Sequence, residues 1–208
     1  MDIYNLACPD LVSLPTVHIK LVHYANHPIT CVLGVLANEA GLQIQQEMFK
    51  WIYKFYNIIT VTQDAPGTLY EYPAIRFAQW YSIQNNMPIL YLHTKGAFNQ
   101  TPIQNTIRNM WQFEFSVYHD WYVENAMTLN DFVGCPFTDG QSTWFNGWVA
   151  NTSAFSHINK IPISTDRYTY ETGLWNTGMQ VQVTGRLLNN AEFTNLAPMW
   201  DIVNIFKT

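Results

Sequence analysis

The chain has 208 residues, of which 48% are hydrophobic and only 12% charged, and its formal net charge is −5. Disordered proteins combine low hydrophobicity with high net charge, so this composition predicts a folded chain with a sizeable core. Ten Lys and Arg residues without a basic cluster argue against nucleic acid and anionic membranes as partners. The 8 Trp, 12 Tyr and 12 Phe beside many Asn, Gln, Thr and Ser residues suit a sugar ligand, although compositional bias of the source explains the same pattern.

The cysteines and the N-terminus indicate the compartment. Cys8, Cys31 and Cys135 are far apart and lack metal spacing, so we expect reduced thiols and a cytoplasmic protein. No apolar run reaches about 18 residues, so no membrane span is expected. The N-terminus carries Asp2 and no basic region, which does not fit a signal peptide.

The predicted elements alternate along the chain after an irregular start over residues 1–16. Strands are predicted over residues 17–25, 58–62, 88–93, 131–136, 144–150 and 181–184. Helices are predicted over 29–41 and 43–56 with a break or kink at Gly41, over 70–84, over 99–130 with a break near His119, and as short turns over 151–158 and 167–175. The polar stretch 137–143 predicts a turn, and 199–206 is a final apolar segment. This alternation predicts an α/β fold with a central, mostly parallel mixed sheet flanked by helices.

The stretch 88–96 is the first candidate site, because an apolar strand ends there in His93-Thr-Lys95-Gly96. Ligands of open α/β sheets bind beyond the carboxyl ends of the strands. Lys95 suits a diphosphate, His93 suits a metal or a phosphate, and Gly96 allows a ligand to approach the backbone. An ordinary turn after a strand is the alternative.

Three further groups are candidates. Asn146, Gly147 and Trp148 combine a glycine within a predicted strand with groups that suit sugar hydroxyls and ring faces, although a buried aromatic strand explains them equally well. A partly buried Glu171 could act as a general base, and a solvated glutamate at a helix start is its alternative. Glu71 lies at a predicted helix start, where a carboxylate is favourable for structural reasons alone.

Asp64, Asp120 and Asp139 lie in or beside loops and are additional candidate carboxylates.

The absence of several catalytic motifs excludes some classes of enzyme. The chain contains no GxSxG, HExxH, P-loop, GxGxxG or CxxC motif. The sequence therefore lacks the motifs that define serine hydrolases, zincins, P-loop NTPases and Rossmann dehydrogenases, which argues against these four classes.

Five blocks in a fixed order carry a family resemblance. They are Tyr70-Glu-Tyr-Pro, Ile89-Leu-Tyr-Leu-His-Thr-Lys-Gly, Phe132-Val-Gly, Trp144-Phe-Asn-Gly-Trp, and Arg167-Tyr followed by Glu171. Together they resemble GT-A-type glycosyltransferases of bacterial capsule and surface-polysaccharide clusters and of algal viruses of the chlorella-virus type. The blocks span residues 70 to 171, and the last thirty residues contribute nothing to the resemblance.

The resemblance implies a single GT-A-like domain over residues 1–208. About 1–96 would form its nucleotide-binding half, and 97–208 its acceptor-side half. The implied activity is transfer of a hexosyl or deoxyhexosyl group from a nucleoside diphosphate sugar, UDP-linked by default, to a glycan hydroxyl. Such a reaction would serve capsid or surface-polysaccharide synthesis, in the host cytoplasm if the protein is viral.

The resemblance also implies roles for particular residues. Tyr24, Ala25 and Asn26, at the end of the first predicted strand, would contact the base and the ribose. The remaining donor-site residues would be Glu71, His93, Lys95, Gly96, Asn146, Gly147 and Trp148. Glu171 would be the catalytic base, with Asp139 as a second catalytic carboxylate.

The expected metal site departs from the wider GT-A pattern. An acidic pair that holds a divalent metal on the diphosphate stands in that pattern where this chain has His93-Thr94-Lys95. Three alternatives remain: Lys95 replaces part of the metal's charge, another carboxylate ligates the metal, or His93 takes part in holding Mn²⁺ or Mg²⁺.

Two other classes of function remain open from the sequence. One is a non-catalytic carbohydrate-binding or capsid-associated module, which the missing acidic pair favours. The other is an assembly factor whose aromatic residues are buried at a protein interface. The oligomeric state, retention against inversion, and the choice between a whole protein and one domain of a longer chain also stay open.

Overall fold

The structure is a computed structural model that describes residues 8–11, 14, 16–64, 69–135, 143, 146–158, 161–164, 166, 168–172 and 181–183. The strands are β1 Val17–His23, β2 Thr30–Leu36, β3 Asn57–Gln63, β4 Ile89–His93, β5 Val133–Cys135, β6 Trp148–Ala150 and β7 Val181–Val183. The helices are α1 Glu39–Ile52, α2 Tyr72–Asn85, α3 Pro102–Val117, α4 His119–Thr128, α5 Thr152–Ser156 and α6 Thr169–Thr172. None of these helices is both long and apolar enough to cross a bilayer.

The described strands form one mixed sheet in the order β1-β3-β2-β4-β6-β5-β7. The centre, β3-β2-β4, is parallel, as is the β5–β7 pair, whereas β1 and β6 run antiparallel to their neighbours. One apolar core packs α1, α3 and α4 against one face of the sheet, and a second packs α2 and α5 against the other. The predicted α/β fold with a mixed sheet flanked by helices is confirmed, and parallel pairing predominates only at its centre.

The helix predicted over residues 29–41 is wrong, because most of this stretch forms β2. The strand is buried along nearly its whole length, with Cys31, Leu33 and Val35 in one core and Val32 in the other. Parallel strands buried on both faces form continuous apolar runs without alternation. Such a run carries no periodicity that distinguishes a short strand from a buried helix.

Gly41 does not separate two helices, as predicted, but lies in the first turn of α1. Asn38 caps this helix, and its side-chain oxygen accepts a hydrogen bond from the Gly41 N–H at 2.7 Å. A Cβ atom on Gly41 would overlap the carbonyl oxygen of Leu36 at the end of β2. The glycine therefore permits the start of α1 to pack closely against the end of β2.

The other predicted elements that fall on described residues are present, with shifted ends. The long helix breaks at Tyr118, next to the predicted His119, and gives α3 and α4. The strand predicted over residues 144–150 is shorter, because Gly147 precedes β6 rather than lying inside it. Of the turn predicted over residues 137–143, only Thr143 is among the described residues. The predicted apolar segment 199–206 lies outside them.

The order of the central strands creates a crevice. From β2 the chain passes through α1 to β3 on one side, and from β3 it passes through α2 to β4 on the other side. The connections after the neighbouring strands β2 and β3 therefore leave the sheet on opposite faces. At such a point an open α/β sheet has a cleft beyond the carboxyl ends of its strands.

Candidate functional site

A cleft of about 550 Å³ opens at this point, beyond the carboxyl ends of β2, β3 and β4. Its volume lies within the usual range of about 300–1,000 Å³ for small-molecule sites. The predicted site residues that line it are Glu71, His93, Lys95, Gly96 and Glu171. The cleft therefore brings together side chains from β4, the start of α2 and the distant helix α6.

The turn after β4 is tied to β2 by two hydrogen bonds of Thr94. The Thr94 N–H donates to the carbonyl of Gly34 at 2.9 Å, and the Leu36 N–H donates to the Thr94 hydroxyl at 3.2 Å. Gly96 has a φ of 82°, in the left-handed region that glycine adopts without strain. A Cβ atom there would lie 2.6 Å from the Cβ of Gln104, so α3 packs directly against the turn.

Lys95 and Glu171 form a buried ion pair at the cleft. The Lys95 Nζ atom lies 3.4 Å from the Glu171 Oε1 atom, and their side chains are 8% and 7% exposed. Glu171 is not a solvated residue at a helix start, because α6 presents it to the cleft. No second hydrogen bond to this carboxylate comes from the residues that the structure describes, and Glu171 lines the cleft.

Glu71 is the second carboxylate of the cleft. It stands at the N-cap position of α2, but its side chain makes no capping hydrogen bond. Instead its Oε2 atom accepts from the Tyr91 hydroxyl at 3.2 Å and from the Asn146 amide, and its Oε1 atom lies 3.6 Å from the His93 Nε2 atom. Burial and this carboxylate raise the pKa of Tyr91 well above its ordinary value. These contacts of the Glu71 carboxylate are therefore with side chains around the cleft and not with the backbone of the helix end.

Asn146 and Trp148 support this arrangement, although neither they nor Gly147 line the cleft. The indole N–H of Trp148 donates to the Asn146 Oδ1 atom at 2.8 Å, which orients the amide toward Glu71. The buried Thr143 accepts a hydrogen bond from the Asn146 N–H at 2.9 Å and donates one to the Glu171 carbonyl at 2.8 Å. Thr143, which the sequence did not single out, therefore ties the environments of the two carboxylates together.

Tyr24, Ala25 and Asn26 are not at the cleft. They follow β1, which runs antiparallel to β3, and the Ala25 N–H donates to the side chain of Asn57 at the start of β3. They lie beside the amino end of β3, away from the cleft at the carboxyl ends of the strands, and Tyr24 is 74% exposed. The prediction took β1 for the first parallel strand, a position that β2 occupies. Asp139 lies outside the described residues.

Several cleft residues were not predicted. Tyr70 and Phe98 are exposed aromatic residues at the cleft, Phe98 by 80%, and Tyr70 has a φ of 43° that is uncommon for a bulky residue. Gln104 reaches the cleft from α3, and its Oε1 atom is buried without a hydrogen-bond partner. The position of Phe98 in a short polar loop directly after β4 was the available signal.

The described side chains do not form a metal site by themselves. Across the described part of the chain there is no group of three His, Cys, Asp or Glu side chains that could hold an ion. His93 faces one carboxylate, Glu71, whose Oε2 atom already accepts from Tyr91 and Asn146. Zinc sites use three or four protein ligands, whereas Mg²⁺ is held by one or two carboxylates together with waters and substrate phosphates. His93 and Glu71 alone therefore do not fit zinc, and a magnesium ion here would need the phosphates of a bound ligand to complete its coordination.

No protein-family model, curated protein or solved structure matches this chain.

Proposed function

We propose that the chain is a glycosyltransferase of GT-A type that binds a nucleoside diphosphate sugar, UDP-linked by default, in the cleft. The observation that carries this proposal is the Lys95–Glu171 pair at the carboxyl ends of the central strands. It supplies a cation for a leaving diphosphate and a carboxylate for an acceptor hydroxyl within one small-molecule cleft. The resemblance in the five sequence blocks supports the same reading.

In the proposed reaction, the oxygen of the acceptor hydroxyl forms a bond to the anomeric carbon of the donor sugar. The bond between that carbon and the diphosphate oxygen breaks, and the nucleoside diphosphate leaves with the electron pair. Glu171 takes the proton of the hydroxyl if the configuration inverts. Glu171 is the better candidate base than Glu71, because both oxygens of Glu71 already face protein groups.

Lys95 is the residue that would offset the charge of the leaving group. Charge stabilisation by a preorganised cation is effective in a cleft that excludes water. The Lys95 carbonyl accepts a hydrogen bond from Arg108, so a second cation lies behind the same turn. The flat faces of Tyr70 and Phe98 offer stacking surfaces for the base at the mouth of the cleft.

The second candidate is a non-catalytic carbohydrate-binding module. It is favoured by the charge balance at the cleft, where Glu171 already matches the charge of Lys95 and Glu71 adds another carboxylate. Such a site would bind a neutral sugar rather than a diphosphate. Nucleotide binding separates the two candidates.

The first test is a thermal-shift screen of UDP, GDP, CMP and ADP, each with Mn²⁺, with Mg²⁺ and with chelator. A ligand that binds only the native state adds about 2.7 kcal/mol of stability at a hundredfold excess over Kd. We expect one nucleotide to raise Tm, and its nucleoside to raise Tm less. A shift that persists in chelator supports Lys95 as the main counter-charge. If no nucleotide raises Tm, the transferase proposal fails and the carbohydrate-binding module is favoured.

Glu171→Gln tests the base. We expect this variant to keep nucleotide binding and to lose transfer to a glycan acceptor, because an amide cannot take the proton. Glu124→Gln changes an exposed carboxylate on α4 in the same way and should leave transfer unchanged. Undiminished turnover in Glu171→Gln would exclude Glu171 as the base.

A further inference from the structure

A second, polar depression of about 290 Å³ lies between α1 and α3, and we call it the α1–α3 groove. It is separate from the cleft described above, although α3 contributes residues to both. Five side-chain amides line it: Gln43, Gln100, Asn105, Asn109 and Gln112. One cation, Arg108, and one carboxylate, Glu47, complete its polar lining.

Three of the five amides in this groove make no hydrogen bond to the described part of the chain: the side chains of Gln100, Asn109 and Gln112. Gln100 and Asn109 are exposed and Gln112 is half-buried, so a ligand in the groove can reach them. Asn105, Asn109 and Gln112 are spaced at four and three residues, so they follow one another along one face of α3. Each amide offers both donors and acceptors, as a row of sugar hydroxyls requires.

The charges in the groove favour a neutral ligand. Arg108 is buried, and its guanidinium donates to the Lys95 carbonyl and to the Asn105 side chain. Burial lowers the pKa of Arg108, and the Glu47 carboxylate acts in the opposite direction. One cation and one carboxylate leave no excess charge to attract a phosphate or another strongly charged group.

We propose that the α1–α3 groove is a saccharide-binding site, in which the free amides of α3 bind the hydroxyls of a neutral sugar chain. The proposal stands on the residues of the groove and not on the transferase activity. Arg108 links the two sites, because it lines the groove and also holds the turn that carries Lys95. A glycan bound in the groove would thus lie beside the cleft.

The test is a titration of the ¹⁵N-labelled full chain with maltotriose, cellotriose, mannotriose and triacetylchitotriose, followed by NMR. At least one of these probes should shift the side-chain amide signals of Asn109 and Gln112. The double variant Asn109→Ala/Gln112→Ala should raise the Kd of that probe about tenfold, since it removes hydrogen bonds of modest energy. Gln46→Ala, which removes an exposed amide of α1 outside the groove, should leave the Kd unchanged.

Two results would overturn the proposal: no probe shifts the groove amides, or the double variant binds the probe as tightly as the original chain. Nucleotide binding is measured in a separate titration of the same variants. The double variant should retain it, because Asn109 and Gln112 do not line the cleft. Failure of nucleotide binding in every variant would overturn the transferase proposal alone, so the two failures are distinguishable.

Discussion

Replacing Lys95 by Met tests whether the ion pair in the cleft is as buried as its geometry indicates. The change keeps most of the side-chain volume but leaves the Glu171 carboxylate without its cation, with only 7% of that side chain exposed to water. Removing one partner of a buried pair costs about 3–5 kcal/mol, because the remaining charge is neither paired nor hydrated. We expect a loss of this size in the free energy of unfolding from urea denaturation, with an unchanged m value.

The matched control is Asp10→Asn, which removes the charge of Asp10 from its pair with Arg76 and leaves the hydrogen bond from Arg76 to Gln79 in place. The atoms of the Arg76–Asp10 pair are closer, at 2.7 Å, but the Asp10 side chain is 41% exposed, so the expected loss is about 0–1 kcal/mol. The double variant Lys95→Met/Glu171→Gln should recover about 1–3 kcal/mol relative to the sum of the single changes, which separates the ion pair from other contacts of Lys95. A loss in Lys95→Met no larger than that in Asp10→Asn would refute the argument from burial.

Three further predictions concern other parts of the site and the core. Gly96→Ala should cost more than about 1–2 kcal/mol in urea denaturation, because it adds left-handed strain to a contact of 2.6 Å with Gln104, and an unchanged midpoint would contradict this. Phe98→Ala should leave stability within about 0.5 kcal/mol but weaken nucleotide binding by about 1–3 kcal/mol in calorimetry; equal affinity would exclude stacking on Phe98. Burial raises the pKa of Glu114 above its ordinary 4.5, so the folded state holds the proton more tightly, and the original chain should lose stability relative to Glu114→Met as pH rises above 4.5. A pH-independent difference between the two chains would contradict that assignment.

The alternation of helices and strands could be predicted because most of these elements have a characteristic spacing of apolar residues or a characteristic composition. The helix α1 places Ile44, Met48 and Ile52 at intervals of four, and β3 is rich in β-branched residues. The strand β2 carried no such signal, since both of its faces are buried. Because β1 was therefore taken for the first parallel strand, the residues expected to bind the base lie beside the amino end of β3, away from the cleft.

The candidate site was predictable at the end of β4 and only partly elsewhere. The prediction for His93, Lys95 and Gly96 needed only local sequence, because an apolar strand that ends in polar residues places them at its carboxyl end. The direction of the Glu71 side chain depends on Tyr91 and Asn146, which approach it from distant parts of the chain. Local sequence favours a helix-start role for this carboxylate, and only tertiary packing overrides that preference.

The ion pair of the cleft also has a consequence for synthesis on the ribosome. Glu171 follows Lys95 by 76 residues, and at about 5–20 residues per second its synthesis lags by about 4–15 s. During this interval the core around β2, β3 and β4 can assemble, but the ammonium group of Lys95 has no Glu171 carboxylate with which to pair. The cleft is therefore completed only when the segment carrying α6 has emerged and docked, so a nascent chain stalled before residue 171 should fold its central sheet without a finished site.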